Sequence, residues 1–164
     1  MNRIGAARLA QRTVVVLALG VPLSFAAIGS AVSAPNACRG EVVTITGTAG
    51  ADVIRGTAGQ DSIVAGGGND VIRGLGGRDE ICAGPGADRL VGGDGRDGLD
   101  GGAGNDTLLG GGGNDDLIGG RGVDLMRGDS GPDQLVGGAG RDSANGGAGL
   151  DDCFAELLVK CESP

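Results

Sequence analysis

Residues 101–120 read GGAGNDTLLGGGGNDDLIGG, which is two nine-residue units followed by the first two residues of a third. Each unit opens with glycines, carries an aspartate at its sixth position and has an aliphatic residue at its eighth. Glycine costs roughly 0.5–1 kcal/mol relative to alanine in a helix or a strand interior. So much glycine therefore indicates tight turns at a fixed spacing, and a fold that is held together by more than the polypeptide itself.

The same unit runs from Gly47 to Phe154 twelve times, without insertion or deletion. Glycine occupies the fourth position and aspartate the sixth in all twelve units. The eighth position is Ile, Leu or Met in ten units, with Ala144 and Cys153 as the exceptions. Twelve of the 17 aspartates stand at the sixth position. Their positions therefore follow the repeat and are not scattered along the chain.

Each unit predicts a glycine-rich turn followed by a short strand. The first four residues need positive φ and close backbone approach, and the last three alternate, with the eighth side chain inward. Two units form one coil of 18 residues, and stacked coils bury two aliphatic ladders. We expect an all-β parallel β-roll of about six coils, with one ladder of Ile54, Ile72, Leu90, Leu108 and Met126 and another of Ile63, Ile81, Leu99, Leu117 and Leu135.

The stacking also places carboxylates above one another at strand spacing, where they would repel each other without counter-charge. A hard divalent cation between successive turns removes this repulsion and takes the glycine carbonyls as further oxygen ligands. Calcium fits best because it accepts 6–8 oxygens in flexible geometry. The predicted metal ligands are Asp52, Asp70, Asp88, Asp106, Asp124 and Asp142 on one edge and Asp61, Asp79, Asp97, Asp115, Asp133 and Asp151 on the other.

The unit resembles the RTX, or haemolysin-type, nonapeptide GGxGxDxUx, a calcium-binding parallel β-helix repeat. The resemblance covers residues 47–154 and implies a calcium-loaded β-roll in which the twelve aspartates are shared between adjacent coils. Six turns on each edge leave five gaps, so up to ten calcium ions are expected. The pattern is broken at several turns, where ligand geometry is in doubt because a side chain at positive φ is strained: Ala65, Ala83, Thr48, Thr57, Leu75, Asp129, Pro85 and Pro132.

The segments outside the repeat predict export and capping. Residues 1–34 combine a basic start, an apolar run of 15 residues from Val14 to Ile28 and small residues at Val32-Ser33-Ala34, as in a cleaved secretory signal. The run is shorter than the ~20 residues of a membrane span, so we expect no stable membrane insertion after cleavage. Residues 35–46 are expected to cap the roll at one end and residues 155–164 at the other, since exposed sheet ends invite aggregation.

The charge and the cysteines agree with an exported protein. Cleavage after residue 34 removes three of the 13 basic residues and none of the 21 acidic ones, which leaves 10 − 21 = −11. Such an acidic chain is a poor partner for nucleic acid. Four cysteines in an exported chain suggest two disulfides, and we expect Cys153–Cys161 and Cys38–Cys82, although two other connectivities are open.

These features predict a secreted, non-enzymatic calcium-binding protein. The chain has no histidine, so the sequence around Ser130, which resembles a protease nucleophile segment, lacks the base that a serine nucleophile needs. RTX enzymes and toxins carry a separate active domain upstream, and we expect none in the dozen residues between the signal and the repeat. The alternative is an extracellular adhesin or matrix component that uses the roll as a scaffold, with an unknown cell-surface partner. An ice-binding face is disfavoured because the outward positions carry no ordered threonines.

Overall fold

The computed structural model describes residues 12–14, 44–155, 157–159 and 161, which form strands and turns without a helix. The strands alternate between two parallel sheets as the chain winds. The eight-stranded sheet contains β1 (Arg12–Val14), β3 (Asp52–Arg55), β5 (Val71–Gly76), β7 (Arg89–Asp94), β9 (Thr107–Gly112), β11 (Leu125–Ser130), β13 (Ser143–Ala148) and β15 (Leu157–Val159). The seven-stranded sheet contains β2 (Ile45–Thr46), β4 (Ser62–Val64), β6 (Glu80–Pro85), β8 (Gly98–Ala103), β10 (Asp116–Arg121), β12 (Gln134–Ala139) and β14 (Asp152–Phe154).

The register of the repeat strands is 18 residues. Leu117 in β10 lies opposite Leu99 in β8 and Leu135 in β12, and the same offset relates the strands of the other sheet. Each side chain therefore stacks on its equivalent from the neighbouring coils. This confirms the predicted parallel β-roll of about six coils.

Both predicted aliphatic ladders form the core. Their ten side chains are 0–2% exposed, and Ile45 and Ala144 extend the ladders at the two ends. Burial of a Leu or Ile side chain contributes about 1.5–3 kcal/mol, so the core consists of many similar contributions, one per unit. Ala144 supplies less area than the other members, as its size predicts.

The strands are longer than the sequence suggested. From β5 to β13 they have six residues and continue into the first three positions of the next unit. The backbone of the glycine segment needs hydrogen-bond partners as well, and the equivalent segment of the next coil supplies them. The second residue of each unit from the third onward has positive φ, including Leu75 and Asp129 at 94° and 76°. Those two departures are strained, as expected.

The described ends of the chain add strands to the roll. Ile45 pairs with Ile63, Leu158 pairs with Ala144, and the segment Arg12–Val14 lies beside Asp52–Ile54. The domain boundaries at residues 34, 46 and 154 stay predictions, because most of residues 1–43 and part of residues 155–164 lie outside the described residues. In the part of the chain that the structure describes, no helix is long and apolar enough to span a membrane.

The cysteines agree with the expected pairing as far as the structure describes them. Cys153 and Cys161 form a disulfide at the C-terminal end of the roll. Cys82 is also disulfide-bonded, but Cys38 lies outside the described residues, so the Cys38–Cys82 pairing stays a prediction. A second covalent link would join the N-terminal segment to β6.

Candidate metal centre

The twelve sixth-position aspartates form two buried ladders, one along each edge of the roll. Their side chains are 1–5% exposed, so they point into the roll and do not extend into solvent. The inward direction follows from strand alternation, because the sixth and eighth positions lie on the same face. The structure thus brings together all the predicted site residues, at the spacing of the coils: Asp52, Asp61, Asp70, Asp79, Asp88, Asp97, Asp106, Asp115, Asp124, Asp133, Asp142 and Asp151.

One carboxylate oxygen of each aspartate beyond the first coil links neighbouring coils. The backbone N–H of Asp97 donates to Oδ1 of Asp115 at 2.9 Å, and that of Asp115 donates to Oδ1 of Asp133 at 2.9 Å. The same bond, at 2.7–3.1 Å, joins every ladder aspartate to the one 18 residues later. This link was not predicted from the sequence, and it uses only half of each carboxylate.

The other oxygen, Oδ2, is buried and has no hydrogen-bond partner in nine of the twelve aspartates. Leaving a buried polar group unsatisfied costs about 1–3 kcal/mol, and more when the group is charged. Nine such atoms in one molecule call for a partner that the polypeptide does not supply. The nine oxygens belong to Asp70, Asp79, Asp88, Asp97, Asp106, Asp115, Asp124, Asp133 and Asp151.

The surroundings of Oδ2 supply further oxygen atoms. The point where a Cβ on Gly110 would lie is 2.5 Å from Oδ2 of Asp115 and 2.8 Å from the carbonyl oxygen of Gly128 in the next coil. We call this space between a carboxylate and the next coil's carbonyl the cradle. Seven other units have the same cradle beside their first glycine, which is Gly47, Gly56, Gly74, Gly92, Gly101, Gly119 or Gly128.

Two units fill the cradle with a methyl group. Ala65 and Ala83 stand where the other units have the first glycine, and both are fully buried in the core. Their carboxylates, Asp70 and Asp88, still have an unpartnered Oδ2. The cradle is therefore narrower at these two positions than at the eight units that have the cradle beside a glycine.

Burial raises the pKa of eight ladder aspartates, which are Asp70, Asp79, Asp88, Asp97, Asp106, Asp115, Asp124 and Asp133. Desolvation is the largest cause, and the charges of the neighbouring ladder aspartates add to it, while the N–H donated to Oδ1 acts in the opposite direction. The pKa of Asp115 rises to about 7 and that of Asp79, Asp88 and Asp133 to about 6. A ladder of charged carboxylates is therefore unfavourable unless a cation lies beside them.

The donor atoms are all oxygens, and most would come from the backbone. Within the described residues, no three Cys, Asp or Glu side chains converge on one point. A cation beside Oδ2 would therefore complete its shell with carbonyl oxygens of the turns. Hard oxygen donors in a flexible number are what Ca²⁺ prefers, whereas Zn²⁺ prefers Cys and His.

The chain matches a known family of calcium-binding repeats. Residues 46–81, 82–117, 91–126 and 127–157 match four copies of the RTX calcium-binding nonapeptide repeat. The chain belongs to this family. Its repeats are calcium-binding repeats, and the buried carboxylate ladder described above is the part of this RTX chain that suits such an ion. No curated protein and no solved structure matches the chain.

Proposed function

We propose that this RTX protein is a secreted, non-enzymatic calcium-binding protein whose β-roll folds when calcium binds between successive coils. The observation that carries the proposal is the row of buried, unpartnered Oδ2 atoms along both edges. A cation beside each of them would offset the desolvation and the mutual repulsion of the carboxylates. Calcium would supply positive charge and bonds to hard oxygen atoms.

The strongest candidate ligands are the six aspartates that have both a cradle beside a glycine and an unpartnered Oδ2: Asp79, Asp97, Asp106, Asp115, Asp124 and Asp133. Asp70 and Asp88 are further candidates with a narrower cradle beside Ala65 and Ala83. In each case the aspartate Oδ2 and the first carbonyl of the next coil would hold the ion. Because each ion would contact two coils, binding and stacking would be one event.

The calcium affinity expected for such a module would let the chain fold only after export. Extracellular calcium modules bind at about 10⁻⁴–10⁻³ M, so the chain would be unfolded at low calcium and ordered outside the cell. Residues 1–34 read as the signal that would direct export. The disulfide Cys153–Cys161 is consistent with an oxidising compartment. Cleavage of the signal would remove β1 and leave β3 as the last strand at that end of its sheet.

A scaffold role for the same roll is the second candidate. Large apolar side chains are exposed near the C-terminal end, where Val123, Leu125, Leu150 and Phe154 are 49–68% exposed. Leu150 and Phe154 both belong to the last unit of the repeat, and exposed large apolar side chains are typical of a contact surface. An extracellular or cell-surface partner would bind there once calcium has ordered the coils. Capture of a partner in calcium, lost on Leu150→Ser or Phe154→Ser, would favour this role.

Circular dichroism of the chain from residue 35 onward tests the main proposal. In chelator we expect an unfolded spectrum, and in 10 mM CaCl₂ a gain of β signal. MgCl₂ at the same concentration is the control for ionic strength and should give little gain, because Mg²⁺ demands rigid octahedral geometry. A spectrum that calcium leaves unchanged would contradict the coupling of folding to binding.

A further inference from the structure

The first turn on each edge differs from every later turn. In the third to twelfth units the second residue has positive φ, whether it is glycine, Leu75 or Asp129. Thr48 and Thr57, the second residues of the first two units, do not have positive φ. The backbone of these two turns is therefore built differently, and the strain expected for a threonine at positive φ is avoided.

The two threonines use this conformation to bind the first aspartate of each ladder. Thr48 donates its backbone N–H at 2.6 Å and its hydroxyl at 2.9 Å to Oδ2 of Asp52. Thr57 donates the same two groups to Oδ2 of Asp61, at 2.6 Å and 3.0 Å. These carboxylate oxygens are thus satisfied by the protein, while nine later ones have no partner.

The other parts of the cradle do not explain why Oδ2 of Asp52 and Asp61 has hydrogen-bond partners while nine later Oδ2 atoms have none. The first position of these two units is a glycine, Gly47 or Gly56, as in the later units that have a cradle. The carbonyl oxygen of the next coil lies beside each of them, from Ala65 and Gly74 respectively. The coil-to-coil bond is also present, since the N–H of Asp52 donates to Oδ1 of Asp70 at 2.8 Å. Within the cradle, the threonine at the second position therefore distinguishes the first turn of each edge from the later turns.

We propose that Thr48 and Thr57 take the place of calcium in the first gap of each edge, so that the chain holds six to eight calcium ions and not ten. The inference rests on the proposed function and concerns the number and position of its sites. A backbone N–H that points at Oδ2 from 2.6 Å presents its positive end to the place where a cation would bind. Two hydrogen bonds to a carboxylate oxygen supply the compensation that a cation supplies in later coils.

A third threonine completes the first coil in the same way. Thr44 donates its hydroxyl to the carbonyl oxygen of Ser62 at 3.0 Å and accepts the N–H of Ser62 at 2.9 Å. In later coils the seventh-position N–H donates instead to the carbonyl of the preceding ladder aspartate, as Glu80 does to Asp61 at 2.8 Å. The N-terminal coil therefore supplies hydrogen bonds to Oδ2 of both its ladder aspartates without a cation and presents a template on which calcium-dependent coils stack.

Counting bound calcium tests the inference. The chain from residue 35 onward would be saturated with CaCl₂, and the ions per chain measured by native mass spectrometry for the wild type, Thr48→Gly, Thr57→Gly and the double variant. We expect six to eight ions for the wild type, one more for each single variant and two more for the double variant. The matched control is Thr48→Ser/Thr57→Ser, which keeps both hydroxyls and should give the wild-type number.

The outcomes separate this inference from the proposed function. A wild-type count of nine or ten, or a glycine variant that gains no ion, would overturn the threonine role while leaving calcium binding intact. A wild-type count of zero would overturn the proposed function and the inference together. If the double glycine variant does not fold, the number of calcium ions bound by the wild type and by Thr48→Ser/Thr57→Ser tests the inference.

Discussion

Replacing Asp115 by Asn separates the two tasks of a ladder carboxylate. An asparagine keeps the oxygen that accepts the N–H of Asp97 at 2.9 Å and replaces the unpartnered Oδ2 by an uncharged amide group. In 10 mM calcium, loss of one site with a dissociation constant of about 10⁻⁴–10⁻³ M should cost about 1.4–2.7 kcal/mol of unfolding free energy. In chelator, where the wild type is expected to be unfolded, the substitution should not lower the β signal, because it removes a buried charge that lacks a partner.

Urea unfolding followed by circular dichroism measures the loss in calcium, and the β signal in chelator gives the second comparison. Asp116→Asn is the matched control, because Asp116 is the next residue, is outside the ladder and pairs with Arg96 at 3.4 Å on the surface. A surface pair contributes about 0.2–1 kcal/mol, so Asp116→Asn should lower the unfolding free energy in calcium by no more than that. A loss of unfolding free energy in calcium that is no larger for Asp115→Asn than for Asp116→Asn would refute the assignment of Asp115 as a calcium ligand.

Three further predictions concern the turns and the pH. Gly113→Ala should destabilise the calcium-loaded roll by more than about 3 kcal/mol in urea unfolding, because Gly113 has positive φ and its Cβ would overlap the carbonyl of Gly95. Gly67→Ala is the control, since its Cβ would meet nothing closer than 3.7 Å, and it should leave the unfolding free energy almost unchanged. Leu75→Gly should raise stability by about 1 kcal/mol in the same assay because it relieves a positive φ of 94°; an unchanged midpoint would contradict the strain. In chelator, the β signal should rise as the pH falls from 8 to 5, because the pKa of Asp115 is raised to about 7 by burial and folding takes up protons below that pH. Calcium affinity should weaken over the same range, and a chelator spectrum that does not depend on pH would count against the buried ladder.

The repeat made most of the fold predictable. A strict nine-residue period with an aliphatic eighth position determines the coil length, the two sheets and the stacking of Leu117 on Leu99 and Leu135. A register shifted by two residues would place aspartates opposite aliphatic side chains. The sequence did not show that the strands extend to six residues, because glycine carries no side-chain pattern from which pairing could be read.

The candidate site was predictable in its residues but not in its connections. The period shows that the aspartates stack, yet it does not show which oxygen of Asp115 accepts the N–H of Asp97, since this depends on the side-chain rotamer. The role of Thr48 and Thr57 was missed for a similar reason. They were identified only as departures from glycine, although their occurrence at the same position in the first two units was a signal that they share a function.

The bonds between coils run in one direction, since each ladder amide donates to a carboxylate 18 residues later in the chain. During synthesis on the ribosome, the amide that donates this hydrogen bond is made before the carboxylate that accepts it. Each coil therefore gains its hydrogen-bond acceptors only when the next coil has been synthesised. Shortening the protein from its C-terminus would always leave two amides facing water, at the new final coil. The last coil of the repeat must therefore be closed by something other than the repeat, and Cys161, linked by a disulfide to Cys153, lies at that end of the roll.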